Sequence, residues 1–114
     1  MIDLNKVAEE CDKYSRMREE NGAFPKNDSV LKHCAGELIE AVEAENWLQE
    51  ISNVNYKWGK DDIEQAKNDY ADELMDVMYC VLVLCKRAGI NPEKALLKNI
   101  EKNRKRAEKK GDKI

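Results

Sequence analysis

Glu37 and Glu40 stand three residues apart, and so do Glu73 and Asp76. Residues at i and i+3 are neighbours on one helix face, so each pair presents two carboxylates side by side. The second pair leads into Met75 and the run Val77 to Cys85, which is apolar on nearly every side. A helix apolar all round is a buried helix. An ionised carboxylate entering such a surface is costly unless positive charge meets it. On a helical wheel Asp69, Glu73, Asp76, Cys80 and Val83 share one stripe. Glu37 and Glu40 share theirs with His33, Ala44, Trp47 and Ile51. If the two helices pack antiparallel, four carboxylates converge and raise one another's proton affinity. Mg²⁺, or Mn²⁺ in its place, relieves that repulsion, because hard divalent cations take oxygen ligands. Glu37, Glu40, Glu73 and Asp76 are therefore the candidate metal ligands. The competing reading is a set of ordinary solvated acids. With 23 acidic residues in the chain, one E-x-x-E means little by itself, and placement against the apolar run is what favours a metal site.

Other metal chemistries lack their ligands. A di-iron bundle needs Glu-x-x-His on two helices, and His33 is the single histidine. The four cysteines (11, 34, 80 and 85) form no C-x-x-C, so zinc spacing is absent. They read as reduced thiols filling a cytosolic core.

The elements that would carry these residues are helices. The chain has 114 residues, enough for one domain over 1–114. Five Gly and two Pro are too few for a turn-rich β fold. A first helix spans 2–20, capped by Asp3 with Ile2 and Val7 as a hydrophobic staple, and ended by Asn21-Gly22. Leu4, Val7, Cys11 and Tyr14 mark its apolar side. A second helix runs from Asp28 or Ser29 to Ile51, with Leu31, Cys34, Ala35, Leu38 and Val42 as its main apolar stripe. A third opens on the capping box Asp61–Glu64 and ends near Ala88, before Gly89. Asn91-Pro92 starts a fourth, reaching Ala107, with a frayed tail over 108–114. The expectation is an all-α, four-helix bundle-like core with two long central helices of roughly 35 and 40 Å. A compact monomer of this length has a radius of gyration of about 13 Å. Helices so long leave apolar faces uncovered, which predicts a homodimer or homotetramer.

The net charge of −3 argues against a dedicated nucleic-acid binder. The nine-residue run Val77–Cys85 falls far short of the ~20 apolar residues that span a bilayer. The first ten residues carry three acids and no apolar core, unlike a signal peptide, so a cytoplasmic location is expected.

Gly36-Glu37-Leu38-Ile39-Glu40, then Asp72-Glu73-Leu74-Met75-Asp76-Val77, then Lys98 to Arg106 (KNIEKNRKR) resemble the MazG-like all-α nucleoside triphosphate pyrophosphohydrolases, which include dUTPase-type and dCTPase-type enzymes. The resemblance covers residues 25 to 107. It implies that Glu37, Glu40, Glu73 and Asp76 hold Mg²⁺ and that a nucleoside triphosphate, most readily a dNTP, docks through its phosphates. Water then attacks the α-phosphorus to give a nucleoside monophosphate and pyrophosphate. The cation neutralises charge on the transferring group and acidifies the water. Asn103 matches the family's C-terminal Asn, and it, Lys98 and Lys102 are the candidate phosphate or sugar contacts, against a plain solvated basic helix end. Residues 101–114 carry +4 and the rest −7, so the basic charge is concentrated there.

Trp47, two turns beyond Glu40, matches an aromatic that lines the base pocket in dCTPase-like relatives. His33 and Phe24 are weaker pocket candidates, and Tyr56 and Trp58 would sit on a loop able to act as a lid. Tyr79 reads as core. The chain departs from the family pattern at Gly36, Asn99 and Ala107, where many members have Glu, Lys and Tyr. Phosphoribosyl-ATP pyrophosphohydrolases typically have His after the third-helix Tyr, and Cys80 there weighs against that branch. Two non-enzymatic alternatives are a degenerate relative acting as a nucleotide-binding or protein-interaction module, and a ligand-free structural oligomer. The intact quartet argues against the first and Asp76 against the second.

Overall fold

The computed structural model describes residues 2–23, 29–53 and 59–109, and every regular element among them is a helix. Helix α1 is Leu4–Glu20, α2 is Val30–Asn53, α3 is Lys60–Arg87 and α4 is Pro92–Glu108. Phe24, Asp28, Tyr56, Trp58 and residues 110–114 lie outside the described residues.

The helix ends show why the boundaries fall there. Asp3 caps α1, its side chain accepting from the backbone N–H of Asn5 and Lys6 at 3.0 and 3.3 Å. The expected staple buries little, since Ile2 is 74% exposed. Gly22 (φ +74°) and Gly89 (φ +71°) take the left-handed conformation that side chains rarely adopt. Each closes a two-bond C-terminal motif. Gly22 N donates to Glu19 O at 3.0 Å and Ala23 N to Arg18 O at 2.7 Å; Gly89 N donates to Lys86 O at 3.2 Å and Ile90 N to Cys85 O at 2.9 Å. Asn91 caps α4 through Lys94 N at 3.1 Å. The α3 start differs from the expected Asp61–Glu64 box. Gly59 N donates to Asp62 Oδ2 at 3.1 Å, so the cap lies two residues earlier.

Helices α2 and α3 form an antiparallel hairpin, because residues early in one meet residues late in the other. Tyr70 OH donates to Glu45 Oε2 at 2.9 Å, while Glu37 meets Asp76. Helix α1 lies across α3 and is pinned by charge. Arg87, with a side chain only 4% exposed, donates from Nε to Asp12 Oδ1 and from Nη1 to Glu19 Oε1, both at 2.6 Å. Ser15 Oγ donates to Tyr79 OH at 3.0 Å, and Tyr79 OH donates to the Cys11 carbonyl at 2.9 Å. The core between these helices is Ala8, Cys11, Val30, Cys80, Leu82 and Val83.

The buried faces are rotated from the expected stripes. In α1 the buried residues are Ala8, Cys11, Asp12 and Ser15, while Tyr14 is 52% exposed. In α2 they are Val30, Ala41 and Ile51, whereas Leu31, Leu38 and Val42 point to solvent. Arg87 and Tyr79 satisfy Asp12 and Ser15, which is why polar residues occupy the inner face. Helix α3 is not enclosed on every side, as its composition suggested. Only α1 and α2 cover it extensively, and Leu74, Met75, Met78 and Val81 remain 39 to 55% exposed. Helix α4 packs on α1 and α3, buries only Pro92, and leaves Leu96, Leu97 and Ile100 open. The radius of gyration is 17.6 Å, well above the about 13 Å of a compact chain this long.

Candidate metal centre

The α2–α3 seam is where the two acidic pairs meet. One carboxylate oxygen each from Glu37, Glu73 and Asp76 lies within 4.8 Å of the others. Glu40, one turn on from Glu37, is the fourth member, its charge felt at both Glu37 and Glu73. Glu37 and Glu73 are half-buried, while Asp76 is exposed in the single chain rather than buried. Burial pushes the Glu37 carboxyl above the usual carboxylate range, and the charges of Glu40 and Asp76 push it further. Glu73 is raised by burial, Glu40 and Asp76. Asp76 is raised by burial, Asp72 and Glu40, with Arg18 and His33 pulling the other way. All three shifts have one physical origin, negative charge gathered where water is partly excluded.

Two oxygens of this cluster, Glu37 Oε2 and Glu73 Oε2, are shielded from solvent without a hydrogen-bond partner in the protein. Buried polar atoms are ordinarily satisfied. Orphaned oxygens on two facing helices, in side chains whose carboxylates converge, fit a hard divalent cation in donor type and charge. Glu37, Glu73 and Asp76 could hold it, with Glu40 alongside.

A cavity of about 180 Å³ opens beside the cluster, lined by Arg18, His33, Glu37, Asp76, Tyr79 and Cys80. His33 Nε2 lies 3.1 Å from Glu37 Oε1, one helical turn away. The lone histidine therefore belongs to the site surroundings. Tyr79 both lines the cavity and locks α1 to α3. Cys80 is buried beside Cys34, and burial first, then Cys34 and the nearby carboxylates, push its thiol up to about 11. The cysteines are all free thiols, Cys11 and Cys80 buried, Cys34 and Cys85 half-buried.

The remaining candidates lie elsewhere. Trp47 is 43% exposed on α2 and does not line this cavity. Lys98 and Lys102 line a separate open groove on α4 with Ala95, Asn99, Glu101 and Lys105. Asn103 Nδ2 donates to the Asn99 carbonyl and side-chain oxygen at 2.9 and 2.8 Å. The single chain thus brings the four carboxylates and His33 together but not Trp47 or the α4 residues. Arg18 is the site residue that the spacing of types missed. It belongs to neither acidic pair nor the basic C-terminal run, and only the Asn21-Gly22 stop hinted that its side chain sits at a turn.

Residues 2–104 match the family model described as phosphoribosyl-ATP pyrophosphohydrolase. No curated protein and no solved structure matches the chain.

Proposed function

The chain belongs to the phosphoribosyl-ATP pyrophosphohydrolase family, within the MazG-like all-α superfamily, and on that premise we propose that it hydrolyses nucleoside triphosphates, dNTPs among them, at the α–β phosphate bond with Mg²⁺. The family makes it a pyrophosphohydrolase, a hydrolase acting on acid anhydrides. The family match spans Cys80, which stands where histidine is typical of that branch.

One observation carries the metal reading: carboxylate oxygens of Glu37, Glu73 and Asp76 within 4.8 Å, two of those side chains having an orphaned shielded oxygen. Glu37, Glu73 and Asp76, with Glu40, would hold Mg²⁺, and Mn²⁺ could replace it. When bound, the cation supplies charge neutralisation on the phosphoryl oxygens and a lowered pKa for the attacking water. The chain's own residues do the rest. The carboxylate not engaged in ligation can accept a proton from the water, and His33 orients Glu37 through their 3.1 Å contact. Trp47 is proposed to stack a base, and Lys98, Lys102 and Asn103 to meet phosphate or sugar. Within one chain they stand apart from the carboxylates. A homodimer or homotetramer would be needed to bring them near, which the open faces of α2, α3 and α4 support. No described helix is long and apolar enough to cross a membrane; a cytoplasmic location and no nucleic-acid partner complete the proposal.

The test is a panel of NTPs, dNTPs and phosphoribosyl-ATP with Mg²⁺, scoring pyrophosphate against orthophosphate. Pyrophosphate with the matching monophosphate is expected, and orthophosphate as first product would refute α–β cleavage. Glu73→Ala retaining full activity would refute the ligand assignment.

A further inference from the structure

Arg18 occupies a position that neither the acidic pairs nor the basic α4 segment accounts for. It is the third residue from the α1 C-terminus, and the turn at Gly22 fixes it twice. Its carbonyl accepts from Ala23 N at 2.7 Å, and its Nη2 donates to Ala23 O at 3.3 Å. The guanidinium is thus bent over the helix end by the same residue that caps it. It lines the small cavity with Glu37 and Asp76. Its proximity is felt at Asp76, where its charge opposes the rise in proton affinity. His33, the other cationic candidate lining the cavity, is engaged with Glu37 at 3.1 Å. Lys98 and Lys102 line a different groove.

An anion alone would be repelled from a cavity edged by two carboxylates. A phosphate chain entering with a divalent cation would not, and its oxygens pointing away from the cation would need donors. A guanidinium is suited to them, because its planar fork makes two parallel charge-assisted bonds to phosphoryl oxygens. Attack at the α-phosphorus also builds negative charge on the departing pyrophosphate, where a fixed cation acts most strongly. We propose that Arg18 grips the pyrophosphate end of the substrate's phosphate chain and holds it across the cavity from the Glu37–Asp76 edge. This rests on the pyrophosphohydrolase reading above and adds an α1 residue to it.

The test uses the full chain, Arg18→Gln and Arg18→Lys, with helicity checked by circular dichroism. Calorimetric titrations measure Mg²⁺ alone, then inorganic pyrophosphate and a nucleoside monophosphate in Mg²⁺ buffer. Losing a charge-assisted forked contact should weaken pyrophosphate binding by about ten- to hundredfold. Arg18→Lys should recover only part of this, since an ammonium lacks the fork. Monophosphate affinity should change less than threefold, and Mg²⁺ affinity should stay level or tighten as a repelling cation is removed. Pyrophosphate affinity within twofold of wild type in a folded Arg18→Gln overturns the proposal. So does a parallel loss of Mg²⁺ affinity, which would mean that Arg18 only supports the carboxylates, or a larger loss for monophosphate than for pyrophosphate. If wild-type protein neither binds pyrophosphate with Mg²⁺ nor releases it from any nucleotide, the functional reading itself fails and this proposal with it.

Discussion

Asp76→Asn separates a metal site from a chance cluster of acids, because only in a metal site does added Mg²⁺ reverse the sign of its effect on stability. Its carboxylate oxygen lies within 4.8 Å of one on Glu37. Two unit charges at that separation repel by about 0.9 kcal/mol in a water-like dielectric and about 3.5 kcal/mol at an effective dielectric of 20. Asp76 is exposed, so the lower figure applies, about 1 kcal/mol. The amide keeps the shape and removes the charge, so Asp76→Asn in EDTA at pH 7.5 should melt about 4 °C above wild type for a domain of this size. Mg²⁺ should reverse the order. At a hundred times its Kd a ligand of the folded state adds about 2.7 kcal/mol, on the order of 10 °C. Wild type should show that rise and Asp76→Asn less than a third of it. The assay is thermal denaturation followed by circular dichroism, in EDTA and across a Mg²⁺ series. A variant that melts below wild type in EDTA and keeps the full Mg²⁺ response would refute the reasoning, since Asp76 would then be neither repelled nor a ligand.

Arg87→Met should cost roughly 3 kcal/mol in urea unfolding, because it strips Glu19 of its guanidinium partner and leaves the largely buried Asp12 with Arg16 alone; a loss below about 1 kcal/mol would show the pairs to be dispensable. Burial raises the Asp12 carboxyl, but its bonds to Arg87 and Arg16 outweigh this and hold it below its ordinary 3.8. The stability it contributes is therefore present above that pH and lost as pH falls through the folded value, which an acid titration of Tm would trace. Tyr79→Phe should cost about 1–2 kcal/mol by removing the hydroxyl that serves buried Ser15 and the Cys11 carbonyl, and an unchanged urea midpoint would contradict the proposed lock. Cys80, with its thiol near 11, should stay unmodified by iodoacetamide at pH 8 while half-exposed Cys85 reacts; mass spectrometry showing the reverse order would contradict the burial. Met75→Glu, on the open α3 face, should lower the sedimenting mass toward a single chain, and a mass unchanged from a wild-type assembly would remove that face from the interface.

The four helices were legible because their stop and start signals are local chemistry. Asn21-Gly22, Gly89 and Asn91-Pro92 act through backbone groups a few residues away, and the helices end within two or three residues of where those signals put them. The convergence of Glu37 and Glu40 with Glu73 and Asp76 was legible as a conditional, true if α2 and α3 run antiparallel, which they do. Which side of a helix faces inward was not legible where a partner side chain changes the rule. Asp12 and Ser15 are buried because Arg87 and Tyr79, more than sixty residues away, satisfy them. Leu31, Leu38 and Val42 read as core by type, yet α2 turns Val30, Ala41 and Ile51 inward. Arg18 escaped for the same reason, since its role follows from where α1 crosses α3.

Arg87 sits in the last turn of α3, and its guanidinium bridges two points of α1 that lie seven residues apart. The same turn ends at Gly89, whose left-handed twist sets the direction in which α4 leaves. One residue neighbourhood is therefore a shared anchorage for two arms, one carrying Arg18 and the other carrying Lys98 and Lys102, so a substitution in that turn displaces both at once.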